Sequence, residues 1–313
     1  MVIPCPNRFC PAPTTIDPVD AITHALSAWM VFPAAFGNTP ILFAMAGAVI
    51  PDLDIVLAAF SDRDPRLFIF SHGGFTHSVT GALVAATGAW LAGAGMLHLT
   101  SPLLVLVLFM AWAGALSHLF LDALAYPGIP LLYPYTDRKF TLGVFPGPSL
   151  VLFGTSLAFL GLWLGKAAGQ RELALYAVFV ASFILASGGL KVYMARKSPG
   201  RTIPSFHPFR WLELRETPGA WEVWRWRIGR EPEPAGRFLK TAGVDPGSLE
   251  GIEDLPEVRR LRYYSYTVVA EREGDGIIIR DPLREEGYLF YPMAYTRVLV
   301  QAPIAAAVPR RSW

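Results

Sequence analysis

Charged side chains are missing over stretches of this chain that are long enough to cross a bilayer. Between Leu67 and Thr136 the only Asp, Glu, Lys or Arg is Asp122, and between Asp20 and Asp52 there is none. About 20 apolar residues cross the hydrocarbon core of a bilayer as a helix. The whole chain of 313 residues, 53% hydrophobic and 17% charged, is also more apolar than an ordinary soluble domain. The sequence therefore predicts an integral membrane protein.

Six apolar segments are candidate membrane helices. Four of them are long enough to cross the membrane, whereas two earlier ones are shorter or are interrupted by Pro51-Asp52-Leu53-Asp54. The longer segments are residues 79–99, 102–125, 150–168 and 173–194, and the earlier ones are residues 21–36 and 41–60. We expect a mainly α-helical bundle with four to six membrane helices. The two earlier segments either cross the membrane or form a re-entrant hairpin.

Composition divides the chain into three parts. Residues 1–19 form a Pro-rich head that we expect to be flexible. Residues 20–198 form the membrane-embedded domain. Residues 199–313 are rich in charged residues, and their β-branched and aromatic runs are separated by a glycine-containing hairpin turn at residues 274–276. We expect this last part to be a small soluble α+β domain with an antiparallel sheet.

Basic residues near the ends of the apolar segments predict the orientation. Lys and Arg are enriched in cytoplasmic loops. Lys191, Arg196 and Lys197 close the last apolar segment, so we expect the C-terminal domain to be cytoplasmic. A net charge of +2, without a basic patch interleaved with aromatic residues, does not indicate a nucleic-acid partner. The expected partner is the lipid bilayer.

The ionisable side chains that interrupt the apolar region are histidines and aspartates. A charged group at the membrane centre costs about 2.5–3.5 kcal/mol on insertion scales, so each one needs a physical reason. Imidazole and carboxylate together are the usual ligands of zinc, manganese and iron. The candidate residues are His24, Asp52, Asp54, His72, His77, His118 and Asp122.

Spacing predicts that these side chains meet. His118 and Asp122 are four residues apart and share a helix face. His72 and His77 enclose two glycines, which allow a tight turn that would bring both imidazoles to one point. In a hairpin topology, the segments that carry these residues approach one membrane face. The sequence therefore predicts a metal site at the cytoplasmic lip of the bundle, although His24 is equally suited to an interhelical hydrogen bond.

Five short motifs follow one another between residues 20 and 143. They are Thr23-His24-Ala25-Leu26, Ile50-Pro51-Asp52-Leu53-Asp54, His72-Gly73-Gly74-Phe75-Thr76-His77-Ser78, Gly114-Ala115-Leu116-Ser117-His118-Leu119-Phe120-Leu121-Asp122 and Pro127-Gly128-Ile129-Pro130-Leu131-Leu132-Tyr133-Pro134. In this order they resemble the LexA-regulated, inner-membrane-associated metal-dependent hydrolases. The resemblance implies a multi-pass protein of the inner (cell) membrane with hydrolase activity, and it supplies no substrate.

A metal-dependent hydrolase is the function that these residues favour. One or two divalent ions, zinc first and manganese or iron as alternatives, would lower the pKa of a bound water and polarise the scissile group. Asp54, or else Asp52, would act as general base. Arg138 and Lys139 would bind the anionic head group of a lipid-like ester or phosphoester. The predicted metal ligands are His24, Asp52, His72, His77, His118 and Asp122.

Two other functions are compatible with the same residues. In a membrane transporter, the histidines and aspartates would form an ion or proton path and would be spread through the depth of the membrane. In a non-catalytic metal-binding membrane protein, the ion would be bound without turnover and the cytoplasmic domain would be regulatory. The placement of the polar side chains distinguishes the transporter from the hydrolase. An activity measurement distinguishes the non-catalytic metal-binding protein from the hydrolase.

Overall fold

Apolar α-helices make up the N-terminal part of the chain. The structure, a computed structural model, describes residues 18–32, 36–147, 149–291 and 295–301, so the predicted head lies almost entirely outside it. The helices of this part are α1 (Pro18–Val31), α2 (Asn38–Val49), α3 (Ile55–Arg63), α4 (Val79–Met96), α5 (Ser101–Leu124), α6 (Leu150–Leu164) and α7 (Gln170–Lys197).

Four helical runs in the described part of the chain are long and apolar enough to cross a membrane. They are Asn38–Arg63, Val79–Met96, Ser101–Leu124 and Gln170–Lys197. This confirms the predicted helical membrane bundle. The first run joins α2 to α3 through a 3-10 segment, Ile50–Asp54, and is 26 residues long. Pro51 does not break this run because it occupies the first turn of the 3-10 segment, where a missing N–H is tolerated.

One predicted span is shorter than expected. Residues 150–168 were expected to cross the membrane, but α6 ends at Leu164 after 15 residues, which corresponds to about 22 Å. Gly165 caps the helix, and Lys166 has a positive φ of 58°, which is incompatible with a continuing right-handed helix. The apolar pattern alone does not reveal this stop, because the residues on both sides of it are hydrophobic or small.

Helices α2 and α5 touch through their backbones. A Cβ atom added to Gly47 would lie 2.0 Å from the carbonyl oxygen of Ala111, and one added to Gly114 would lie 1.9 Å from that of Ala44. Neighbouring positions at this contact are also alanine, including the fully buried Ala48. Small residues let membrane helices approach closely, and this contact uses that property along its whole length.

A loop between α5 and α6 is fastened to the end of α5. Within it, β1 (Ala125–Tyr126) pairs in parallel with β2 (Phe145–Pro146). The amide of Leu142 donates to the carbonyl of Ala123, and that of Val144 donates to Leu124, both at 2.7 Å.

Two four-stranded sheets follow the helices. The first has the order β3 (Arg201–Pro204), β4 (Arg210–Glu216), β5 (Ala220–Arg227) and β6 (Glu233–Leu239). The second has the order β10 (Arg297–Gln301), β9 (Gly276–Arg280), β8 (Val269–Glu273) and β7 (Thr241–Ala242), and it is accompanied by α8 (Pro256–Tyr264) and α9 (Pro282–Glu285). Strand β9 is antiparallel to both β8 and β10, as predicted, whereas β7 joins β8 in parallel.

The described residues form two compact units. One contains the membrane helices and continues through β3 to Glu213, past the domain boundary predicted at residue 198, and it includes Arg225–Pro232. The other is built around the second sheet. Its core is formed by Val258 and Leu261 of α8 with Ile277 and Ile279 of β9, all at most 2% exposed.

The contact between α2 and α5 predicts a stability difference between two glycine variants. Gly114→Ala should lower the thermal unfolding midpoint of the detergent-solubilised chain, because overpacking of a tight contact costs about 1–3 kcal/mol. Gly154→Ala in α6 is the matched control, because nothing lies within 4 Å of its added Cβ. It should be neutral or stabilising, since Ala is favoured over Gly in helices by about 1 kcal/mol. Equal midpoints for both variants would contradict the backbone contact.

Candidate metal centre

The seven predicted histidines and aspartates lie together in the structure. They come from four separate parts of the membrane unit: the second turn of α1, the 3-10 segment between α2 and α3, the loop before α4, and the last two turns of α5. In the same order, the residues are His24; Asp52 and Asp54; His72 and His77; and His118 and Asp122. Contacts between their side chains join all seven into one cluster.

Two imidazoles and two carboxylates form the middle of the cluster. His118 Nε2 lies 3.1 Å from Asp122 Oδ2 and 3.6 Å from Asp52 Oδ1. His77 Nε2 lies 3.4 Å and 3.3 Å from the same two oxygens. A tetrahedral zinc ion with ligands at about 2.0–2.1 Å would separate its ligand atoms by about 3.3–3.4 Å. These four nitrogen–oxygen distances, from 3.1 to 3.6 Å, are close to the spacing of the ligand atoms around a single ion.

The tautomer of His118 is set by a backbone carbonyl. Its Nδ1 lies 2.7 Å from the oxygen of Ala48 in α2. A carbonyl oxygen can only accept, so Nδ1 carries the hydrogen and donates it. Nε2 is buried and makes no hydrogen bond within the described residues. Metal-binding histidines are commonly oriented in this way, by a hydrogen bond from the nitrogen that does not bind the ion.

The cluster also divides into two triads that could each hold an ion. One consists of His24, His118 and Asp122, and the other of Asp52, His72 and His77, and within each triad the ligand atoms lie within 4.8 Å of one another. His24 Nε2 lies 3.3 Å from Asp122 Oδ1, the carboxylate oxygen that faces away from His77. One ion bound at the centre, or two ions bound one to each triad, both fit the side chains present.

Asp54 lies behind the two loop histidines. It is buried, and its Oδ1 accepts a hydrogen bond from Nδ1 of His72 at 2.9 Å. Its Oδ2 accepts from the hydroxyl of Thr76 and lies 3.3 Å from Nδ1 of His77. Both carboxylate oxygens are thus engaged, an arrangement that orients His72 and His77. The general-base role suggested by the sequence for Asp54 stays a prediction.

The neighbouring carboxylates raise the pKa of both loop histidines, His72 and His77. Burial by itself would lower the pKa of His77, but Asp54, Asp52 and Asp122 outweigh it and raise this pKa well above its usual value. Burial likewise opposes the charged form of His72, but the hydrogen bond to Asp54 and the charges of Asp54 and Asp52 together outweigh it, so the pKa of His72 is also raised. The carboxylates therefore favour positive charge at these two imidazoles.

The loop that carries the two histidines depends on its glycines, as the sequence indicated. Gly73 has a φ of +73°, a conformation that favours glycine, and a Cβ on Gly74 would lie 1.9 Å from the carbonyl oxygen of Ile69. The turn brings the rings of His72 and His77 to a centroid distance of 5.0 Å.

Arg138 and Lys139 lie on the loop after α5. Arg138 is exposed and Lys139 is partly buried. The role of both basic residues in binding a substrate stays a prediction.

Two groups of the centre were missed by the sequence analysis. The hydroxyl of Thr76 could have been noticed, because it directly precedes His77 in a motif that was already singled out. The carbonyl of Ala48 has no signal in the sequence, since every residue has a carbonyl and only the fold selects this one.

Comparison with known proteins identifies the family. No curated protein and no solved structure matches the chain. The sequence model of one family, described as YdjM inner membrane protein, matches residues 19–196, more than half of the chain and the part that contains all seven residues of the cluster. The chain therefore belongs to the YdjM inner membrane protein family, and its apolar helices agree with a location in the inner membrane.

Proposed function

We propose that this protein is a metal-dependent hydrolase whose centre is the cluster of histidines and aspartates. The main support for this proposal is the environment of the His118 imidazole. Its Nδ1–H donates to Ala48, so in the neutral ring the lone pair of Nε2 points towards oxygens of Asp52 and Asp122. A lone pair facing two carboxylate oxygens in a buried site is repulsive unless a cation lies between them.

A divalent ion satisfies this arrangement better than a proton does. A proton on His118 Nε2 could serve one carboxylate oxygen, but His77 Nε2 faces the same two aspartates and His24 Nε2 faces Asp122. A metal ion accepts several such atoms at once. Mixed imidazole and carboxylate ligands are typical of zinc, with manganese and iron as alternatives, and either one or two ions are proposed.

Hydrolysis follows from the chemistry that such an ion supplies. When bound, a divalent ion would lower the pKa of water towards about 7 and polarise the scissile group. Asp52 is the best-placed general base, because its Oδ2 is buried and has no hydrogen-bond partner among the described residues. Asp54 is assigned a positioning role, since both of its oxygens are taken up by His72, Thr76 and His77.

The proposed substrate is a lipid-like ester or phosphoester with an anionic head group. The centre belongs to a membrane unit, so an amphiphilic molecule can approach it from the bilayer. The loop that carries Arg138 is tied to two elements of the centre: the amide of Val79, two residues after His77, donates to Leu131 at 3.1 Å, and that of Leu142 donates to Ala123. Arg138 and Lys139 are proposed to bind the head group.

The centre is proposed to face the cytoplasm. Arg196 and Lys197 in the last turn of α7 support a cytoplasmic location for the residues that follow. The ligands come from helix ends, a 3-10 segment and a loop and gather at one place, whereas a transport path would need polar groups through the membrane depth.

Elemental analysis of the detergent-purified protein tests the metal. We expect stoichiometric zinc, manganese or iron in the wild type and its loss from a His118→Ala/Asp122→Ala variant, because each substitution removes a ligand. The matched control is His98→Ala/Asp62→Ala, which removes one exposed histidine and one exposed aspartate. A folded wild type that binds none of the three metals would contradict the proposal.

Zinc affinity tests the positioning role of Asp54. Asp54→Asn should weaken zinc binding by about 10–100-fold, the usual effect of losing a group that orients a metal ligand. Competition with a chromophoric chelator measures the affinity, and Asp62→Asn, an exposed aspartate in α3, is the control. If Asp54→Asn bound zinc as tightly as Asp62→Asn, Asp54 would have no role in orienting the ligands.

Turnover of amphiphilic esters and phosphoesters in mixed micelles tests the hydrolase. The metal-loaded wild type should hydrolyse one of these classes, and Asp52→Asn should lower kcat by about 10²–10⁴-fold, the usual contribution of a general base. Metal content measured on the same samples separates loss of the base from loss of the ion. A metal-loaded wild type that is inactive on both classes would favour a non-catalytic metal-binding protein.

A further inference from the structure

The turn between β3 and β4 is ordered and exposes two aromatic side chains. Phe206 and Phe209 are 40% and 55% exposed. The turn is held by its own hydrogen bonds: the hydroxyl of Ser205 donates to the carbonyl of Arg210 at 2.8 Å, and the amide of Arg210 donates to His207 at 2.9 Å. The indole of Trp211 donates to the carbonyl of Pro208 at 3.1 Å. Two phenylalanines are therefore presented outwards on an ordered support.

Strand β3, which leads into this turn, is fixed against the membrane helix α7. The ammonium group of Lys191 donates to both the carbonyl and the hydroxyl of Thr202, each at 2.9 Å. These bonds satisfy the ammonium group of Lys191, which lies shortly before the last turn of α7. They also hold β3 beside the helix, so the chain turns back after Lys197 instead of leaving the membrane unit.

The turn meets α7 on the apolar side of Lys191. Phe183, Ser187 and Leu190 occupy one face of α7, at helical spacing. They line a cavity, partly open to the outside, whose other walls include Phe206 and Pro208 of the turn. The turn thus shares this cavity with a part of α7 that precedes the charged end of the helix.

The apolar part of α7 gives the depth of this contact. Residues 173–190 lie between Glu172 and Lys191 and contain no charged side chain. Eighteen helical residues measure about 27 Å, close to the roughly 30 Å of a hydrocarbon core. Lys191 therefore marks one edge of the apolar layer, and Ser187 lies inside it. A turn that shares a cavity with Ser187 lies at that edge.

Exposed arginines lie on this turn and on the turn next to it. The amide of Ile228 donates to the carbonyl of Phe209 at 3.1 Å, which places the turn after β5 beside the first one. Arg210, Arg227 and Arg230 are all exposed on these two turns. Aromatic residues next to arginines are the composition of protein segments at the membrane interface, where the rings enter the head-group region and the guanidinium groups meet phosphates.

From these observations we propose that the turn Ser205–Arg210 is a membrane anchor. Phe206 and Phe209 enter the interfacial layer of the bilayer that surrounds α7, and Arg210, Arg227 and Arg230 lie at the level of the lipid phosphates. The partner is the lipid surface itself. This role is independent of the proposed hydrolase activity and of the metal centre.

Depth-dependent fluorescence quenching tests the anchor in the full chain. Cys5 and Cys10 are replaced by serine, Phe209→Cys is introduced, and the new thiol is labelled with an environment-sensitive nitrobenzoxadiazole dye. The protein is reconstituted into phosphatidylcholine/phosphatidylglycerol vesicles. A label on Asp275→Cys, in the exposed turn between β8 and β9, is the matched control. Phe206→Cys repeats the measurement at a second position of the turn.

The expected result is a blue-shifted emission at positions 206 and 209 that brominated lipids quench and iodide quenches little. The label at position 275 should show the opposite order. Because Phe209 is largely exposed, its replacement should leave the elution volume in size-exclusion chromatography unchanged. A label at position 209 that iodide quenches as strongly as the label at position 275, in a protein that elutes normally, would overturn the proposal.

Discussion

The backbone contact between α2 and α5 determines the geometry of the proposed metal centre. Gly47 and Gly114 let the two helices touch, and this brings the carbonyl of Ala48 within 2.7 Å of His118. Asp52 follows Ala48 by about one turn, and Asp122 follows His118 by one turn, so both carboxylates arrive at the same point. Any side chain at either glycine would separate the helices and the ligands with them.

The imidazoles and carboxylates of the cluster stabilise one another, which is why seven ionisable groups can lie within a membrane unit. A single charge in the apolar layer is costly, but here each carboxylate faces at least two imidazoles. The position of His24 is reinforced from the preceding residue, because the hydroxyl of Thr23 is hydrogen-bonded to Ser156, which is bonded to Tyr176. This chain of hydroxyl groups joins α1 to α6 and α7, and the centre is thereby held by helices that supply no ligand.

Helix α7 connects the interior of the membrane unit with its surface. On one side Tyr176 and Val180 pack against Leu26 of α1, which follows His24 by two residues. On another side the helix holds β3 through Lys191 and shares a cavity with the turn Ser205–Arg210. The helix therefore connects the packed interior of the membrane unit with the turn at the edge of the apolar layer.

The sequence by itself determined the class of the protein and the chemistry of its centre. Charge-free stretches predicted the membrane helices, and a four-residue spacing and a glycine pair predicted that His118 would join Asp122 and that His72 would join His77. These patterns are local, because residues that are close in sequence lie close together in any compact fold. Only the tertiary structure decided that Ala48 orients His118 and that Asp54 has both oxygens engaged. The reason is that such hydrogen bonds join residues far apart in the chain, 70 positions for Ala48 and His118, and depend on the distance between helices.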